Sequence, residues 1–267
     1  MKTQSTKPIF LQLVEGGKFF FKFSKLLQKL DFKNFSLGVM YTFLVQVLTL
    51  VAALLPIKIL LLLTPSYAMP EIMAELFDSK DQLIACLCFV MFLFMFLVYM
   101  FSRIATKITD EKVNEILDMS KAKIEKSKAT KIIDTSMTIY SSSLFLGCCL
   151  ILEFFVYREL MFILAAMLSI CFIALLAEKY GKTPVLQKID IPSRKLFNNV
   201  AYFLFIGSFL FIVYDVLVNE VSRSFIELIL GLILIRQSSM LMAQICSLFV
   251  THDKHEEIAQ KLLTLTG

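Results

Sequence analysis

Charge is scarce in this sequence, and histidine and glycine are scarcer still. Of 267 residues, 18% are charged, two are histidine and eight are glycine. Both histidines, His252 and His255, stand beyond the last apolar run, so no apolar segment contains a general base of that type. There is no nucleophile elbow, no helical His-Glu zinc motif and no glycine-rich dinucleotide loop, and these absences speak against a catalytic site or a bound cofactor. Gly181-Lys182-Thr183 ends like a phosphate-binding loop. The position where that motif needs its first glycine holds Leu176, and a long apolar run precedes it instead of a soluble strand. His252, His255, Glu256 and Glu257 share a short stretch, but two histidines beside exposed carboxylates read as a solvated helix end, so no metal is expected. No small-residue cleavage site interrupts the first apolar segment, so it does not read as a removable signal.

What the sequence does have is apolar surface. The hydrophobic set makes up 58% of the chain and the mean hydropathy is +0.75, against about 45–50% apolar in soluble domains. A water-soluble core cannot absorb that much. All six cysteines (Cys86, Cys88, Cys148, Cys149, Cys171 and Cys246) fall inside apolar runs, where they serve as small hydrophobes and not as a disulfide framework.

A bilayer core of about 30 Å takes about 20 apolar residues in helical form, since helices and closed barrels alone satisfy their backbone polar groups in lipid. By that measure the expectation is an all-α polytopic membrane protein with six spans: Ser36 to Leu63, Leu83 to Phe101, Ile139 to Val156, Leu160 to Ala177, Val200 to Val218, and Phe225 to Val250. Charge orients them. Lys2, Lys7, Lys18, Lys22, Lys25, Lys29 and Lys33 precede the first span, whereas the following loop, Ser66 to Gln82, carries Glu71, Glu75, Asp78 and Asp81 against Lys80. Eight Lys or Arg lie in Arg103 to Asp134 and five in Glu178 to Lys195. Positive residues collect on the cytoplasmic side, so both termini are expected there, in a bacterial inner membrane. The net charge of +5 therefore reports topology and not a nucleic-acid partner.

The organisation expected is a basic amphipathic segment at the membrane surface over 1–35, a six-helix domain over 36–250 with cytoplasmic loops 102–136 and 178–198, and a cytoplasmic helix over 251–267. In the first segment, Phe19, Phe20, Phe21, Phe23, Leu26, Leu27 and Leu30 alternate with lysines, as in a helix lying among headgroups, although Gly16-Gly17 is expected to interrupt it. The stretch 102–136 has neither proline nor glycine and reads as helical extensions of the neighbouring spans. The first span exceeds what the bilayer needs, so its Leu55-Pro56-Ile57-Lys58 end should tilt, kink or protrude.

Ionisable and polar groups inside the spans are the informative single residues, because lipid exposes them to a large cost. Arg236 is the deepest and opens the run Arg236-Gln237-Ser238-Ser239, with Gln244 two turns on. Glu153, Asp215 and Glu227 lie toward the outer ends of their spans, within range of Arg158 or Arg223. Arg236 either locks helices together or lines a polar cavity.

Three stretches resemble the transmembrane half of an ABC exporter of the six-helix type, without its nucleotide-binding domain. Leu54-Leu55-Pro56-Ile57-Lys58-Ile59-Leu60 is similar to the outer part of the first exporter helix. Ile139 to Ala177 resembles the hairpin of spans three and four, and Leu228 to Leu262 the sixth span with the helix leading toward the nucleotide-binding domain. The resemblance implies a homo- or heterodimer that encloses a path lined by Gln46, Glu153, Arg236, Gln237, Ser239 and Gln244. Any ATPase would be a separate subunit docked through Lys121, Lys123 and Lys126. The short 178–198 loop departs from the family's pattern and favours a second reading: an assembly factor or immunity protein using Ser141-Ser142-Ser143 and Gly147 as contact faces. An enzyme acting on lipid is a third, unsupported by any histidine in the spans.

Overall fold

The computed structural model describes residues 9–64, 71–119, 126–179, 193–218 and 225–250. Regular structure among them is entirely helical: α1 (Ile9–Leu30), α2 (Phe32–Leu63), the short α3 (Glu71–Ala74), α4 (Lys80–Met119), α5 (Lys126–Val156), α6 (Arg158–Lys179), α7 (Ser193–Val218) and α8 (Phe225–Val250). Five of these, α2, α4, α5, α7 and α8, are long and apolar enough to cross a membrane. The expected fourth span falls on α6, a helix of 22 residues outside that set of five.

Burial is inverted relative to a protein folded in water. Phe89 on α4 is 68% exposed and Phe155 on α5 is 79% exposed, while Ser136, Ser141, Ser142, Ser208 and Glu153 are fully buried. Outward aromatics and inward hydroxyls suit a solvent that is itself apolar, where every polar group must find its partner inside. Many hydroxyls do so by bonding back along their own helix: Ser136 donates to Ile132 O at 2.9 Å, Ser208 to Leu204 O at 2.9 Å, and Thr42 to Gly38 O at 2.9 Å. The fold therefore defines a helical integral membrane protein.

Helix α4 continues past the apolar window to Met119 and α5 starts at Lys126, as expected of helical extensions. Those extensions pack on the joint between α1 and α2 through Phe23, Leu27, Phe35, Val113, Ile132 and Ile133. Asp31 makes the joint. It caps α2 with an extended backbone, and its carboxylate accepts from the Asn34 amide at 3.2 Å. Helix α2 then runs unbroken through Pro56.

One expectation is corrected. Helix α1 is not interrupted at Gly16-Gly17 but continues for 22 residues. Gln12, Gly16, Phe20, Phe23, Ser24 and Leu27 form its buried stripe, and Lys18, Phe21, Lys22, Lys25 and Lys29 are exposed. The missing side chain at Gly16 is where α1 crosses the end of α8: a Cβ there would fall 2.0 Å from the Phe249 carbonyl oxygen.

Candidate functional site

Helix α8 is apolar on nearly every side, so packing, and not its own amphipathicity, decides which face is inward. Leu234, Ile235, Ser238, Ser239 and Leu241 are buried. Arg236, Met240 and Gln244, spaced at i, i+4 and i+8, form an exposed stripe. Arg236 lies about 17 Å along the helix from its start at Phe225, close to mid-length. Among the described residues its guanidinium has neither an ion pair nor a hydrogen bond.

The inward face meets α5. Tyr157, at the end of α5, packs against Gly231, while Glu153 one turn earlier faces Ser238. The two helices are therefore antiparallel, and Glu153 sits level with the middle of α8, although it is three residues from the end of its own helix. Glu153 is fully buried and neither carboxylate oxygen makes a hydrogen bond. The Ser238 hydroxyl is beside it without completing a bond of normal geometry, and Ser239 Oγ is also unbonded. On α2, Gln46 donates through Nε2 to Ser142 Oγ at 2.9 Å, while its Oε1 has no partner.

The six expected path residues thus separate into two groups. Gln46, Glu153 and Ser239 point into the bundle, Arg236 and Gln244 point out of it, and Gln237 is half-buried between the two. They do not line one cavity within a single copy. A cleft of about 250 Å³ does open between α1, α2 and α5, but Phe35, Val39, Met40, Phe43 and Leu144 make it mostly apolar, and none of the six lines it.

Asp215 accepts a short hydrogen bond from the Tyr157 hydroxyl, and Arg158 stacks over the Phe162 ring at 5.8 Å. Tyr157 carried no signal in the sequence beyond its place beside Arg158. Lys112 was equally silent within a charge-rich stretch, yet its ammonium is buried, 3.3 Å from Asp31 and 2.9 Å from Glu115. Lys126 is exposed at the start of α5, whereas Lys121, Lys123, Arg223, His252 and His255 lie outside the described residues. Among the described residues, no group of three or more His, Cys, Asp or Glu side chains could hold a metal ion, and the six cysteines are free.

Comparison with family models, with curated proteins and with solved structures gives no match.

Proposed function

We propose that the chain is the membrane-spanning subunit of a transport system of the ABC-exporter kind. In this reading it crosses the bilayer six times, α6 supplying the fourth span, with both termini cytoplasmic and the exposed lysines of α1 at the headgroups. The Arg236–Met240–Gln244 stripe faces a path closed by a second copy or a partner subunit, and a separate ATPase supplies energy. The supporting observation is Arg236, exposed near mid-span with no partner of its own among the described residues. An arginine facing hydrocarbon at that depth costs about 2.5–3.5 kcal/mol on insertion scales, so protein or water covers this face. Two such stripes in a symmetric dimer bring like charges together, which favours a water-filled gap suited to an anionic or strongly polar solute.

Cysteine accessibility in native vesicles tests this. In a background lacking the six native cysteines, Met240→Cys and Gln244→Cys should react with a membrane-impermeant thiol reagent, and the lipid-facing controls Phe96→Cys and Phe209→Cys should not. Equal inertness of all four variants would remove the path.

One feature favours the alternative, a non-transporting assembly or immunity partner. On α5, Ser143 is exposed and a Cβ on Gly147, one turn on, would meet nothing within 4 Å, which leaves a small-residue pair open to another helix. Affinity purification from the native host separates the two readings. Recovery of an ATPase, lost when Lys121, Lys123 and Lys126 are reversed to glutamate, is expected of a transporter; recovery of a different membrane protein alone favours the alternative.

A further inference from the structure

Glu153 has no role in the exposed stripe, and its surroundings set a separate problem. It is fully buried, and among the described residues the groups that could neutralise it point elsewhere. From α8, Arg236 is exposed on another face and Glu227 is exposed near the helix start. From α6, Arg158 stacks on Phe162 and Glu159 is exposed. From α7, Asp215 is engaged by Tyr157. On α4, Arg103 donates to the Tyr99 hydroxyl at 3.0 Å and the other charged residues lie at Lys80 and Asp81 or from Lys107 onward, those of α1 lie at the other end of α5, and Lys58, the charged residue within the α2 span, has an interaction of its own. What remains around the carboxylate is Oε1, Oε2 and Ser238 Oγ, all without a hydrogen bond, with the buried Cys149 thiol one turn back on α5.

We propose that Glu153 and Ser238 form a buried monovalent-cation site between α5 and α8, occupied by a proton or a sodium ion. An unaccompanied carboxylate is not tolerated in such an interior, and with no basic side chain beside it among the described residues, the neutralising charge comes from solution. The valence follows from the count. One carboxylate and one neutral hydroxyl balance a single positive charge, whereas a divalent ion would leave net charge buried. The unbonded donors are all oxygen, which suits a hard cation, and Cys149 adds a neutral thiol beside them. A bound proton would let the carboxyl donate to Ser238 Oγ, whose lone pairs are free; a sodium ion would use the same three atoms with backbone carbonyls. The site rests on the packing of α5 against α8 and not on the transport reading. It can therefore stand or fall independently of the thiol-labelling result.

The test compares the full-length protein with Glu153→Gln, which keeps the shape and removes the charge. Thermal unfolding in detergent is followed from about pH 6 to about pH 9, a range above the titration of ordinary carboxylates, in sodium chloride and in choline chloride. Infrared spectra of both proteins are recorded for the carbonyl band of a protonated carboxyl. A bound proton predicts that band in the wild type and not in E153Q, with a Tm that falls as pH rises regardless of sodium. A bound sodium ion predicts no such band and a wild-type Tm that rises with sodium but not with choline. E153Q should respond to neither variable. Should E153Q not be recovered from membranes, Ser238→Ala serves instead and should shift the pH or sodium midpoint by about tenfold in cation concentration. A wild type with no band and no sodium response, or one whose responses are unchanged in E153Q or S238A, would overturn the site.

Discussion

Replacing Gly16 with leucine is expected to cost about 3 kcal/mol or more and to release α1 from the bundle, while Gly17→Ala is tolerated. The contrast between neighbouring glycines follows from what each would touch. A Cβ at position 16 would lie 2.0 Å from the Phe249 carbonyl oxygen, 2.7 Å from its carbon and 2.9 Å from its Cα. All three are backbone atoms, which no change of rotamer can move, so even alanine forces the helices apart. At position 17 the nearest atoms are Phe249 ring carbons at 3.9 and 4.0 Å, ordinary van der Waals contact. Overpacking a well-fitted contact typically costs about 1–3 kcal/mol, and a backbone obstruction belongs at the upper end. Alanine at position 17, by contrast, gains helix propensity of up to about 1 kcal/mol. Separating α1 from α8 also gives up the neighbouring contacts of Phe20 with Phe249 and of Ile9 and Leu13 with Ala243, Cys246 and Val250. Thermal unfolding in detergent measures the difference, and limited proteolysis within α1 reports detachment. Equal stability of G16L and G17A would show that α1 does not cross α8 at this point.

The same glycine pair shows where sequence reading reached its limit. Long apolar runs flanked by charge announce helices by length alone, which is why the apolar helix over Phe225–Val250 could be read and why the extensions of α4 and α5 were legible from the lack of helix breakers. A glycine, however, is ambiguous from sequence. It lowers local helix propensity, which argues for a break, and it admits a close neighbour, which argues for a crossing; the backbone of α8 decides, and it is more than 200 residues away in the chain. Arg236 is a similar case. Its depth was legible from its position in the span, but α8 has no polar face to indicate which way the side chain points. Glu153 appeared to be near an outer end because it is near the end of its own helix. In the fold the α5–α6 turn meets α8 at Gly231, inside the length of α8, so the same carboxylate faces mid-helix. Depth in a bundle is set by register between helices, and no single span encodes it.

Neutralising both acids around Lys112 should destabilise the protein by about 3 kcal/mol, far more than removing the lysine itself. Lys112 is held between the helical extension of α4 and the α1–α2 joint, with its side chain 1% exposed. Asp31→Asn alone leaves Glu115 at 2.9 Å to balance the ammonium, and asparagine still caps α2 as well as aspartate does, so its cost should stay near 1 kcal/mol. Combining it with Glu115→Gln strands a buried cation, the situation that typically costs about 3–5 kcal/mol; the 48% exposure of the Glu115 side chain places this case at the low end. Lys112→Met removes the buried charge along with the need for partners, leaves the acids partly in solvent, and should change stability by less than about 1.5 kcal/mol. That ordering separates an electrostatic clamp from simple filling of space, under which the lysine substitution would be the most damaging. Acid adds an independent check. Burial pushes the Asp31 carboxyl up, but the Asn34 amide and the Lys112 ammonium together outweigh it and hold the group below its ordinary 3.8. A carboxyl lowered on folding contributes stability above its unfolded pKa and loses it as pH falls through the folded one. The wild type should therefore lose stability below about pH 4 more steeply than D31N, and parallel acid limbs would show that Asp31 is not held by this clamp.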